Sequence, residues 1–267
     1  MKKLIILFSA LIAVAGAEAQ MKEGTIVYEQ KTNMHRMIPD EQMKAFMPEF
    51  RTSNHQLIFA NNTSMYKTLP EDERPTEGGG GVVMRMGGGS AERYCDFNTF
   101  KLVESADFFG KAFLIIDSIK SKPWKITEET KQILGHTCRK AIMKAKGMRA
   151  MRFTMTSSQS NSTDTIKKSG ENNVPAKEIE IIAWFADDIL APVGPETYNQ
   201  LPGAILELDV DNAQSVYTAV EIKDKYNPKE LKEPKKGKVV TREEYQKEVQ
   251  EGMKNMQMGG GGIRIGG

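Results

Sequence analysis

The sequence predicts a mainly β protein with some α: one curved antiparallel sheet, partly covered by one or two helices. Three observations predict it. Short apolar segments alternate with period two, turn residues punctuate them, and only two stretches carry helical spacing. Nothing in the order of these segments has the strand–helix–strand rhythm of a parallel sheet.

GTIVYEQKT, from Gly24, is the first alternating segment. DEQMKAFMPEF places Met43, Phe46, Met47 and Phe50 at helical spacing, with Pro48 limiting its length. HQLIFANNTSMYKTL, from His55, holds the polar run Asn61-Asn62-Thr63-Ser64 between two apolar arms and predicts a hairpin. AFLIIDSI, from Ala112, is apolar enough for a buried strand. Trp124 to Ile133, Leu134-Gly135-His136 and Thr137 to Lys144 form strand, turn and strand. EIEIIAWFA, from Glu178, and AILELDV, from Ala204, complete the set. TREEYQKEVQEGMKNM is the stronger helix, with a capping box from Thr241 and Glu244 and an apolar face of Tyr245, Val249, Met253 and Met256.

The chain opens MKKLIILFSALIAVAGAEAQ: a basic start, an apolar run too short to span a bilayer, then Ala17-Glu18-Ala19 as a cleavage signal. The organisation expected is a signal peptide over 1–19, a β-rich domain over 20–226, a basic linker and amphipathic helix over 227–258, and a glycine-rich tail over 259–267. No cysteine follows the apolar run, so no lipid anchor is expected. The mature protein is expected to be soluble, without a membrane span, in the periplasm or outside the cell. Residues 1–19 carry two lysines and one glutamate, and without them 35 basic face 34 acidic side chains. That balance gives no reason to expect nucleic acid as a partner.

Cys95 and Cys138 are the two cysteines, and in an oxidising compartment the simplest expectation for a pair is a disulfide. The three histidines, His35, His55 and His136, have no metal-ligand spacing, and neither a nucleophile elbow nor a phosphate-binding loop is present. Glu207, Asp209 and Asp211 alternate along a strand, as a wet face does and a calcium loop does not. Met84-Arg85-Met86 and Met256-Gln257-Met258 are thioether pairs flanked by glycine, a chemistry suited to Cu(I), although flexible glycine-rich segments also tolerate methionine. Asp117-Ser118-Ile119 and Asp164-Thr165-Ile166 both resemble a short O-glycosylation acceptor; the first falls in an expected buried strand, so Thr165, in a polar loop, is the better acceptor.

In Leu201-Pro202-Gly203-Ala204, proline and then glycine at the two central positions predict a type II turn, with Gly203 at positive φ. With Gly194, Pro195 and Tyr198 ahead of it, the motif predicts a rigid loop feeding a half-buried strand. AWFADDILAPVGPETYNQLPGAILEL resembles the signature of the GLPGLI family of secreted Bacteroidetes proteins, as do SMYK at Ser64, FFGKAFLIIDSI and WKITEETKQILGHTCRKA from Trp124. Gln200 stands where that pattern has its first glycine and Ala204 where it has leucine; a positive φ at position 200 is therefore not expected to be essential. The resemblance implies an exported protein and brings no enzymatic activity with it. By analogy the sheet is expected to curve like the half-barrels of periplasmic lipoprotein carriers. Three functions follow as expectations: a non-catalytic envelope module acting with an outer-membrane or periplasmic protein, a carrier of a lipid or acyl chain, and a copper-binding protein.

Overall fold

The computed structural model of the chain describes residues 20–38, 41–70, 92–146 and 178–258. Twelve strands among these residues form a single open, curved sheet. They are β1 (Gly24–Asn33), β2 (Phe50–Ala60), β3 (Thr63–Thr68), β4 (Glu92–Asp96), β5 (Lys101–Phe108), β6 (Lys111–Ser118), β7 (Lys125–Ile133), β8 (His136–Lys146), β9 (Glu178–Ala186), β10 (Ala204–Val210), β11 (Ser215–Lys223) and β12 (Lys238–Val240). Their spatial order is β12-β6-β5-β4-β3-β2-β1-β11-β10-β9-β8-β7, antiparallel except where β12 joins β6.

Hairpin turns set most of that order. Asn61 and Asn62 both take positive φ (51° and 57°), the pair of left-handed residues that a two-residue hairpin needs and asparagine tolerates. The β7–β8 turn does the same with Leu134 and Gly135.

One register row crosses half the sheet through facing partners: Ile26, Leu57, Tyr66, Arg93, Glu104, Ile115 and Val240. Facing residues share a face, so this inner face changes from apolar to charged at β4 and β5. Its apolar part is filled by the β9–β10 connection. Ile189, Ala191, Val193 and Leu201 are buried in one cluster with Ile26, Tyr28, Leu57, Phe59 and Phe185. Backbone bonds from Gln200 to Pro192 and from Ile205 to Val193 hold the connection folded.

The opposite face is crossed by the segment that joins β11 to β12. Thr25 donates to the Lys225 carbonyl (3.0 Å), Lys67 pairs with Glu230, and Lys101 pairs with Glu233 (2.6 Å). These anchors lie on β1, β3 and β5, in phase with the buried side chains Ile58, Met65 and Val103. The basic linker is therefore a strap held against the sheet.

Two helices are present among the described residues. α2 (Arg242–Met258) starts with the expected capping box, Thr241 N–H donating to Glu244 Oε2 (2.7 Å) and Glu244 N–H to Thr241 Oγ1 (3.2 Å). Tyr245 sets its ring edge against Phe113, which docks the helix on β6. α1 (Glu41–Ala45) is a correction. It stops after five residues, Phe50 already belongs to β2, and Phe46 is 89% exposed, so Phe46 and Phe50 form no helical face against the sheet.

Two further expectations are overturned. Cys95 and Cys138 are free, buried thiols, not a disulfide. β4 and β8 lie seven strand steps apart, and the two sulfurs sit in different apolar clusters. Gly203 has no positive φ, whereas Gln200, where none was expected to be needed, does (φ 71°), as does Glu196 earlier in the connection (φ 53°). Gly203 is instead a close-approach residue, since a Cβ there would collide with the Ala186 carbonyl oxygen.

Candidate functional site

The sheet needs charge on the inner face only where something other than its own core will meet it. β5 shows this in sequence. Leu102, Glu104 and Ala106 share one phase, so a carboxylate stands in an otherwise apolar row. The side chain of Glu104 is almost fully enclosed, and it accepts from Arg93 Nε of β4 (3.3 Å) and Arg242 Nη2 of α2 (3.0 Å). Arg242 also reaches Asp117 at the end of β6 (3.7 Å), and Lys120 approaches that carboxylate at 3.8 Å.

These groups, with Thr197 and Asn199 of the β9–β10 connection, line an open cleft of about 350 Å³. Leu102, Ile119 and Cys95 form an apolar cluster that supplies part of the lining. Four basic groups, Arg93, Lys120, Lys122 and Arg242, face two carboxylates, Glu104 and Asp117, so the lining is net positive. Lys122 is half-buried, and burial pushes its ammonium below the usual lysine range. Asn199 is buried; its carbonyl accepts from Trp124 Nε1 (3.0 Å), while its side-chain Oδ1 has no hydrogen-bond partner.

Beside the cleft runs a polar wire through the inner face. His55 Nε2 donates to Gln30 Oε1 (2.8 Å), Gln30 Nε2 donates to Tyr217 OH (2.9 Å), and Tyr217 OH donates to Glu196 Oε1 (2.7 Å). The His55 ring stacks on Tyr66, with centroids 5.3 Å apart. Burial lowers the His55 pKa below its ordinary value; Glu196 opposes that and Arg93 adds to it.

Neither cysteine is poised as a nucleophile. Burial pushes the Cys95 thiol up to about 11 and Cys138 up to about 12, so both stay protonated near neutrality. His55 faces Thr68 while Cys95 faces Ser64, four residues away along β3, which at about 3.4 Å per residue keeps the two well beyond contact. His136 pairs with Asp188 (2.7 Å), but the Cys138 thiol donates to the His136 carbonyl rather than to its ring.

The motif residues have structural posts. Leu201 is core and Gly203 abuts β9. The half-buried Tyr198 receives the Lys122 ammonium 5.6 Å from its ring centre. A side chain on Gly194 would meet the Tyr198 carbonyl and Ile205. Pro195 accepts the Tyr198 N–H, and Pro202 follows Leu201 into the bend before β10. Asp117-Ser118-Ile119 and Cys95 stand out in sequence, the first as a glycosylation tripeptide and the second as a disulfide partner, and the phase of Glu104 marks one more; none of these signals a cleft. Met84, Met86 and Thr165 lie outside the described residues, as do the side chains of Met256 and Met258 in the last turn of α2. Among the described residues no three His, Cys, Asp or Glu side chains converge as a metal site requires, and no helix is long and apolar enough to cross a membrane.

Residues 124–207 match a family described as "Protein of unknown function (Porph_ging)". The match runs from Trp124 into β10 and takes in the whole β9–β10 connection. No curated protein matches the chain. Solved structures of PNGF-II are similar: one in the C2 space group at a TM-score of 0.51, over 85% of this chain and 33% of that one. A second crystal form gives 0.50, over 86% and 33%, both at 13% identity. The chain thus spans about a third of those structures, and the likeness is one of fold.

Proposed function

We propose that the protein is a non-catalytic, exported module of the cell envelope that binds a partner protein through the cleft between β4–β6, the β9–β10 connection and α2. The observation that carries this reading is the cleft's chemistry: a net basic lining with a buried, unsatisfied Asn199 amide oxygen, built by elements far apart in sequence. A buried acceptor without a donor is costly unless a ligand supplies one. The signal sequence over residues 1–19 and the resemblance to GLPGLI proteins support export.

The carrier reading has a specific observation against it. The apolar part of the inner face is occupied by Ile189, Val193 and Leu201, and the open cleft is lined by charge. A photo-crosslinking residue at the exposed rim position Lys120, compared with one at Lys236 on the strap, tests the proposal in intact cells. A partner captured from position 120 and absent from position 236 is expected. Equal labelling from both positions, or none from 120, overturns it.

A further inference from the structure

We infer that the cleft takes the free C-terminal carboxylate of a partner polypeptide. This rests on the binding-module reading and narrows its ligand to one chemical class.

Of the four cations that line the cleft, Arg93, Arg242 and Lys120 each have a carboxylate within 4 Å. Among the described residues Lys122 has none, although it is half-buried. A partly desolvated ammonium without a counter-ion is an unpaid electrostatic cost, which an incoming anion would offset. Asn199 Oδ1 is the complementary defect: a buried acceptor that needs an N–H or O–H donor. Asn199 follows Tyr198, whose ring centre lies 5.6 Å from the Lys122 ammonium, and Lys122 and Asn199 both line the cleft. Leu102 and Ile119 add an apolar lining.

The ligand must therefore bring an anionic oxygen, a hydrogen-bond donor and an apolar group close together. The last residue of a polypeptide carries all three around one α-carbon: its carboxylate for Lys122, its amide N–H for Asn199 and its side chain for the apolar lining. Inorganic anions lack the apolar group, acyl chains lack the donor, and sugar acids lack an apolar side chain. Capture of chain termini is an established mode of peptide recognition. The cleft's volume is at the low end of the ~300–1,000 Å³ of ligand sites, enough for a chain end and too small for a folded element.

The test is fluorescence anisotropy with labelled tripeptides whose last residue is randomised, made as free acids and as C-terminal amides, against mature wild type, Lys122→Met, Lys122→Arg and Asn199→Leu. Thermal unfolding confirms that each variant folds. Free acids are expected to bind and amides at least tenfold more weakly; Lys122→Met and Asn199→Leu should each lose binding while Lys122→Arg retains it. Equal binding of acids and amides, indifference to Lys122→Met, or gluconate competing as well as the peptides overturns the inference. If no peptide binds while the Lys120 crosslink still captures its partner, the carboxylate assignment fails and the binding-module reading stands. If both fail, both are wrong.

Discussion

The Tyr28 hydroxyl donates a 2.6 Å hydrogen bond to the carbonyl oxygen of Ile205, joining the centre of β1 to the start of β10 across 177 residues of chain. Tyr28 is fully buried, and burial holds its hydroxyl protonated far beyond the usual tyrosine range. The bond fixes the β9–β10 connection where it leaves the inner face, so it positions Thr197 and Asn199 at the cleft.

Tyr28→Phe removes this donor and leaves a buried carbonyl. A loss of about 1–3 kcal/mol is expected, read from urea unfolding of the protein. A change below a few tenths of a kcal/mol would mean the connection is held by its apolar side chains alone.

Gln200 takes the left-handed backbone expected of Gly203, and Gly203 is a close-approach residue instead. Gly203→Ala places a methyl on the backbone of β9, which cannot yield as a flexible side chain would, and about 3 kcal/mol of destabilisation is expected. Gln200→Gly relieves a left-handed residue at φ 71° and adds freedom to the unfolded chain. The net expectation is a small stabilisation, about 0.5 kcal/mol. Opposite signs in paired denaturation curves are the outcome to look for, and equal signs would refute this division.

These two positions also show what could be read in advance. The motif signals a bend before β10, because proline fixes φ and glycine, lacking a Cβ, admits conformations and close approaches that other residues do not. Why position 203 must be glycine depends on Ala186, a neighbour supplied by strand pairing and invisible to local pattern. The Asn61–Asn62 hairpin and the Thr241–Glu244 cap were legible because both are closed by neighbours in sequence. The strap was not. Tyr226, Leu231 and Pro234 have no common period, and its anchors are ion pairs between residues 163 and 132 apart. The cleft shares this difficulty, since Lys122, Asn199 and Arg242 meet only after the sheet has curved and α2 has docked.

The free thiols make a chemical prediction. Native protein should leave Cys95 and Cys138 unmodified by iodoacetamide at pH 7.5, and both should alkylate after denaturation, giving an intact mass that gains two carbamidomethyl groups. Rapid labelling of the native state, or a denatured mass that gains none, would contradict buried, unbridged thiols.

Glu104 is the shared anion of two guanidinium groups, and its loss leaves both partly desolvated. Glu104→Gln is expected to cost about 3 kcal/mol, the usual penalty for breaking a buried pair. The double variant Arg93→Leu with Glu104→Leu should recover part of that loss, since Arg242 retains Asp117. A double variant no more stable than Glu104→Gln alone would mean the row Tyr66–Arg93–Glu104–Ile115 depends on the charges for its packing.

His55 makes the fold sensitive to acid. Its Nε2 donates to Gln30, and its Nδ1 is buried without a partner, so a second proton there would have no acceptor. Burial lowers its folded-state pKa, with Glu196 opposing the shift and Arg93 adding to it. The unfolded chain therefore takes up the proton first as pH falls. The stability from neutral His55 is fully present above the ordinary histidine value of 6.5 and is lost as pH drops through the lowered folded value. Thermal unfolding midpoints should fall as pH goes from 7.5 to 5. In His55→Phe, which keeps a ring on Tyr66 and cannot titrate, the midpoint at pH 7.5 should be lower and the decline across that interval shallower. An undiminished decline in His55→Phe would assign the acid sensitivity to other groups and leave the His55–Gln30–Tyr217–Glu196 wire a purely structural network.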